Sequence, residues 1–176
     1  IIQAWQASLP EETPNHFLLN IQPNEVASLD AQLAVQNITH TGLVPTTRAR
    51  LTAINKRAIT PQSYSSSRAK RLASREYSLG FSDTLQADNQ LTAGTWWPPG
   101  SSAGLSVEQE TAEQLGIQIG DMLQFNVAGE TISAPVKNIR SVNWESFNIN
   151  FFIQGNAALA NPVSYTHLRA HETRIH

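Results

Sequence analysis

Cysteine is absent from this sequence of 176 residues, and methionine occurs once, as Met122. Without thiols there are no disulfides, no iron–sulfur clusters, no cysteine-ligated zinc and no thiol nucleophile. The absence suits an oxidising compartment, where a stray thiol is a liability, without fixing one. Charge is scarce too: 15% of the residues are Asp, Glu, Lys or Arg, against about 25% in an average globular chain. Neutral Gln, Asn, Ser and Thr fill the gap. No apolar run reaches the ~18 residues that a membrane-spanning helix needs, and no secretory leader pattern is present. The chain starts at Ile1 rather than Met, which suggests a piece of a longer protein.

What is present is enough for one domain. At ~150 residues and above, folding buries about two-thirds of the chain's surface, so a core forms without staples. The formal net charge of −2 gives no general affinity for nucleic acid or anionic membrane. Its distribution is uneven. Between Asp30 and Glu76 no acid intervenes, while Arg48, Arg50, Lys56, Arg57, Arg68, Lys70, Arg71 and Arg75 all fall there. From Glu76 to Lys137 the pattern reverses, with Asp83, Asp88, Glu108, Glu110, Glu113, Asp121 and Glu130 and no base between. Two readings stand. The stretches neutralise each other on one folded surface, or the first, including Arg48 and Arg50, presents a basic face to an acidic partner.

Periodicity gives the elements. Ile1, Ile2, Trp5 and Leu9 have helical spacing that Pro10 ends. Phe17 to Ile21 reads as a buried strand. Pro23 and Glu25 suit the first turn of a helix carrying Val26, Leu29 and Leu33, through about Gln36. Val44 to Ile54 alternates as a strand. Residues 58–70 read as an exposed loop, and Glu76 to Phe81 as a strand with Tyr77, Leu79 and Phe81 on one face. Residues 82–104 read as irregular. Ser106 with Gln109 has the spacing of a capping box, opening a helix that Gly116 closes. Met122–Val127 and Glu130–Val136 flank Ala128-Gly129, a hairpin signal, with Ile139 to Val142 extending the second arm. Ile149 to Ile153 is one more apolar strand. The order predicts α+β: a β-α-β-type lobe with a mixed sheet, then a β-rich hairpin segment.

Chemistry is sparse. Paired Trp96 and Trp97 in a Gly/Pro loop could stack on a ligand or anchor a partner, or cap the edge of the core. There is no Gly-x-Ser-x-Gly elbow for a serine hydrolase. Glu108 and Glu110 read as solvated acids at a helix start. His167 and His171 would share one helical face as metal ligands, with His176 as a third. The basic stretch lacks interleaved aromatics, which argues against nucleic acid. No catalytic, cofactor or metal site is expected.

Several segments carry a resemblance when taken in series. They are Pro14–Ile21, Arg48–Asn55, Ser74–Leu79, Thr92–Pro99, Leu115–Asp121 and Val142–Phe147. Together they resemble the extracytoplasmic, MacB-like periplasmic core domain of FtsX/MacB-type ABC transporter permeases, in the YbbP-like branch. The resemblance implies the end of a membrane-proximal helix at 1–9 and an extracytoplasmic α+β domain at 10–162. It implies a bacterial inner-membrane protein with this domain on the periplasmic side. No catalysis, cofactor or nucleic acid is implied here: ATP would be hydrolysed by a separate cytoplasmic ATPase subunit. The domain would bind cargo or a partner, such as a periplasmic lipid-handling hydrolase, and pass movement to the transmembrane helices. The contact residues expected are Trp96, Trp97, Arg48 and Arg50. Residues 163–176 depart from the family and look like translated adapter read-through, a non-native tail in which the late histidines carry no metal. The alternative is a free-standing secreted or periplasmic ligand-binding module that uses the Trp96-Trp97 loop.

Overall fold

The computed structural model describes residues 16–38, 40–146, 148–160 and 166–171. Residues 1–9, with their expected helix, and most of 163–176 lie outside them. In order the elements are β1 (His16–Ile21), α1 (Val26–Val35), β2 (His40–Ile54), β3 (Arg57–Ala58), a 3-10 turn (Pro61–Ser63), α2 (Ser67–Ser74) and β4 (Glu76–Phe81). Then come β5 (Asn89–Gly94), β6 (Leu105–Glu108), α3 (Gln109–Leu115), β7 (Met122–Val127) and β8 (Glu130–Val142). β9 (Ile153–Gly155), α4 (Ala157–Ala160) and β10 (Thr166–His171) finish the chain.

The expected α+β mixture is present, but the strands do something that periodicity does not announce. β2 pairs β4, β4 pairs β9, β9 pairs β6, β6 pairs β8, β8 pairs β7, and β7 returns to β2. Six strands therefore close into a barrel. The β4–β9 and β6–β8 pairings are parallel and the rest antiparallel. Closure leaves no free edge around the ring. The two long strands make it possible by changing partners along their length. β2 pairs β4 at Thr46–Arg50 and β7 at Arg50–Ile54, while its first residues pair β10, which carries β1 beyond it. β8 pairs β7 at Glu130–Pro135, then β6 and β5.

The interior is filled by side chains, as a barrel this narrow requires. Leu51, Leu79, Leu105, Val107, Leu123, Phe125, Val136 and Ile153 are almost wholly buried. α2 and α3 add Leu72, Ala73, Ala112 and Leu115 to the same cluster. Tyr77, Leu79 and Phe81 are buried as the alternation in β4 predicts.

Two turns set the geometry of β7 and β8. Ala128 (φ 51°) and Gly129 (φ 87°) are both left-handed, as a two-residue hairpin of primed type demands, and Asn126 Oδ1 accepts from Gly129 N. Before β7, Gly120 has φ 88°, and its N–H donates to Val136 O while Val136 N donates to Asp121 O. Asp121 Oδ2 accepts from Gln118 N, and Oδ1 accepts from Asn55 Nδ2. This Gly-Asp turn thereby ties the entry of β7 to the end of β2.

Five expectations need correction. Residues 58–70 are not one loop: Ser66 Oγ caps α2 by accepting from Ala69 N, and Ala69, Leu72 and Ala73 form its buried face. The irregular stretch 82–104 contains β5, a mostly exposed strand in which outward polar residues mask the alternation. The cap of α3 is Glu108, not Ser106; Ser106 lies fully buried in β6. The ladder at 149–153 begins only at Ile153, because Asn150 is engaged in side-chain hydrogen bonds and Arg140 Nη2 takes the Phe151 carbonyl. Ile149 and Phe151 instead pack with Val44 in a small second cluster. Thr166–His171 is a strand, so its histidines do not share a helical face.

Candidate functional site

The Trp96-Trp97 pair sits in the segment between β5 and β6. The rings are tilted by 33° with centroids 4.3 Å apart. Trp96 is half-buried and its indole N–H donates to Asp83 O at 2.8 Å. Trp97 is only 5% exposed, and its Nε1 has no hydrogen-bond partner. Of the two rings, Trp96 has the more accessible surface.

Arg48 and Arg50 project from β2 into solvent. Arg48 pairs with Glu76 at 3.5 Å, and Arg50 Nη1 donates to Ser74 O at 3.4 Å. The structure does not bring the two pairs together. The arginines face Ser78 and Glu76 in the first half of β4, whereas Trp96 bonds to Asp83, beyond the end of that strand. The basic and acidic stretches do meet elsewhere: Arg68 grips Glu110 with two bonds, at 2.9 and 3.1 Å. The shared proton donors of that fork hold the Arg68 guanidinium above its usual pKa, mainly through the hydrogen bond.

Beside the arginines is a feature that sequence reasoning missed. The Arg75 guanidinium lies 4.3 Å from the Phe152 ring centroid and 5.3 Å from that of Tyr77. Tyr77 meets Phe152 edge-on at 6.4 Å, and Trp144 stacks on Phe152 at 4.6 Å and 35°. Tyr77 is buried and its hydroxyl donates to Leu72 O at 2.6 Å. Burial pushes its phenol well above the usual value, against the opposing charge of Arg75. Trp144 is 46% exposed. The four residues come from three distant stretches, and only the Arg75-x-Tyr77 adjacency was local. Trp144 is held by a clamped turn. Ser146 Oγ and Asn150 Nδ2 both donate to Asp88 Oδ2, and Glu145 N donates to Asn143 Oδ1. Burial alone would raise the Asp88 pKa, but the bonds from Ser146 and Asn150 outweigh it and the net shift is downward.

The barrel interior holds the other unusual group. Arg140 is completely buried, with Nη1 within 3.4 Å of Ser106 O and Oγ, Nη2 on Phe151 O, and Nε without a partner. Desolvation lowers its pKa to about 10, and the opposing pull of Glu108 only partly offsets this. Glu108 itself is not the solvated acid expected. It is buried, and accepts from Glu110 N, Thr111 N and Thr111 Oγ1 at 2.7–3.0 Å. Its carboxylate is thus occupied in capping α3. A half-open groove of about 420 Å³ lies at the other side of α3, lined by Ile54, Arg57, Ile59, Tyr64 and Leu115. Tyr64 donates to Leu115 O there. Among the described residues no group of three or more His, Asp or Glu could hold a metal ion.

No helix among the described residues is long and apolar enough to cross a membrane. No family model matches the chain. Over 152 residues, however, 36% are identical to the uncharacterized ABC transporter permease YbbP of Escherichia coli (strain K12). The chain resembles one segment of an ABC transporter permease. The match takes in 86% of this chain and 18% of the permease, so the chain spans less than a fifth of that relative. This agrees with a domain of a YbbP-like permease, the branch that the six segments indicate.

Proposed function

We propose that this chain is an extracytoplasmic domain of a YbbP-like ABC transporter permease of the bacterial inner membrane. It binds a partner or cargo and passes movement to transmembrane segments, while a separate cytoplasmic ATPase subunit hydrolyses ATP. The similarity to YbbP over 86% of the chain carries the reading. The fold supports it physically. A closed barrel with a filled interior resists bending, so a load applied at one face moves the whole body. That is the rigid-body form in which such coupling works. A periplasmic lipid-handling hydrolase is a candidate partner.

The test uses the full-length permease and the absence of cysteine in this segment. A single cysteine is placed at exposed Ser65, and intact cells with a permeabilised outer membrane are treated with a membrane-impermeant maleimide. Labelling before lysis is expected. Labelling only after lysis would put the domain in the cytoplasm and end the proposal.

A further inference from the structure

We propose that Arg75, Phe152 and Trp144 form a docking shelf for an acidic, apolar-flanked segment of a partner protein. The proposal rests on reading the chain as a partner-binding domain, and it supplies the surface and the chemistry.

The geometry carries the argument. A guanidinium whose carbon lies over an aromatic ring is held by the ring face and still has N–H donors for another ligand. Arg75 lies over the Phe152 ring, 4.3 Å from its centroid, with Tyr77 at 5.3 Å; it is exposed and makes no ion pair within the described residues. Its fork matches a carboxylate in a bidentate fashion, and stacking has already restricted its rotamers. Trp144 extends the same surface, stacked and anchored through the Asp88 clamp yet still half open. Arginine and tryptophan, which here share the Phe152 ring, are residue types that dominate binding energy at protein interfaces.

Charge favours an acidic occupant. Arg50 reaches Ser74 O, next to Arg75, and Lys70 and Arg71 are exposed in the acid-free stretch that leads to it. A peptide is favoured over an anionic membrane for two reasons. A headgroup plane spanning the shelf would meet exposed Glu145 as well as Arg75, whereas a short peptide can set its acids on Arg75 alone, Glu76 being paired with Arg48. Phe152 is half-buried and Tyr77 buried, which leaves Trp144 as the one exposed ring of the set, less apolar surface than insertion into lipid needs.

The experiment uses the chain itself with three synthetic peptides. One alternates Asp and Glu with Leu and Phe, one replaces each acid by its amide, and one keeps the acids but replaces each apolar residue by Gly. Amide shifts by NMR and Trp fluorescence report binding. The acidic apolar peptide is expected to shift Arg75, Trp144 and Phe152 and to bind at least about tenfold more tightly than either control. Arg75→Ala, Arg75→Lys and Trp144→Ala should each weaken it by a similar factor. Arg57→Gln, an equal loss of charge in the separate groove, should not. Shifts mapping elsewhere, equal binding of the amide peptide, or an Arg75→Lys variant as good as the original would each overturn the shelf. So would Arg75-dependent binding to phosphatidylglycerol vesicles without peptide binding, which would make it a membrane contact. None of these outcomes bears on which side of the membrane the domain lies, so failure here leaves the Ser65 labelling result standing.

Discussion

Arg140 and Trp97 lie inside this molecule; Arg75 and Trp144 lie on its skin. Each set holds one guanidinium and one indole, yet they are used in opposite ways. Inside, Arg140 spends its terminal nitrogens on Ser106 and the Phe151 carbonyl, while its Nε and the Trp97 Nε1 are left without partners. Outside, Arg75 and Trp144 meet through the Phe152 ring and keep their polar edges available. Arg140 fastens β8 to β6 and to the segment before β9, and both interior groups leave a donor unsatisfied. The exterior pair contributes little to fastening and is free to bind. The comparison teaches that residue type alone does not separate a structural site from a recognition site; what the donors already touch does.

The largest effects are expected from breaking the interior pair. Arg140→Ala abandons the Phe151 carbonyl and Ser106 within a closed barrel and leaves a cavity. A loss of about 3 kcal/mol or more is expected, read by urea unfolding. Arg140→Met fills the volume and removes a buried charge that forms no ion pair among the described residues, because Glu108, its register partner on β6, is occupied in capping α3; it should cost clearly less than Ala. Trp97→Ala should also cost about 3 kcal/mol, the usual scale for a large aromatic in a core. Trp96→Ala, at a half-exposed ring, should cost less than half of that. Equal losses at the two tryptophans would mean that the pair is packed as one unit, with Trp96 no more available for contact than Trp97.

These sites differ in how far the sequence exposes them. β4 and the β7–β8 hairpin were legible because Tyr77, Leu79 and Phe81 alternate and Ala128-Gly129 lies between two alternating arms. α2 was obscured by Ser65, Ser66 and Ser67, which read as loop although one of them is the helix cap. Barrel closure was not legible at all. It depends on β2 and β8 exchanging partners midway, and a strand's period of 2 looks the same whichever neighbour it has. Among candidate contacts, the Trp96-Trp97 doublet stood out by composition. The Arg75–Phe152–Trp144 shelf did not, because it unites residues far apart in the chain. Arg140 shares the inward phase of β8 with Ala134 and Val136, yet it does not stand out in the sequence, because a lone charge there does not announce burial.

A middle-sized effect should appear at alkaline pH, again with a contrast between groups. Arg140 has a folded pKa of about 10, well below the ordinary guanidinium value. Over that window the unfolded chain binds more protons, so this group alone makes stability rise with pH. Tyr77 acts in the other direction. Its folded pKa is raised above 10.0, so its contribution is complete below pH 10 and is lost as pH climbs toward the folded value. Stability measured from pH 9 to 11 should therefore fall less steeply in Tyr77→Phe than in the parent. Identical slopes would mean that the Tyr77 hydroxyl reaches solvent, and the ring would then belong with the exterior set.

The smallest effect is the one that defines the exterior pair. Exposed cation–π contacts contribute about 0.5–1 kcal/mol. Arg75→Ala and Trp144→Ala should each change stability by no more than about 1 kcal/mol, and the double variant by roughly the sum less the energy of their shared contact with Phe152. The same substitutions should remove peptide binding. Small cost with large loss of binding is the behaviour of a recognition surface, because its donors are held in reserve. If Arg75→Ala destabilises the chain as much as Arg140→Ala, the stacked guanidinium is a strut for β4 and the segment before β9. The distinction between the two arginines would then collapse, and with it the reason for placing a partner on this face.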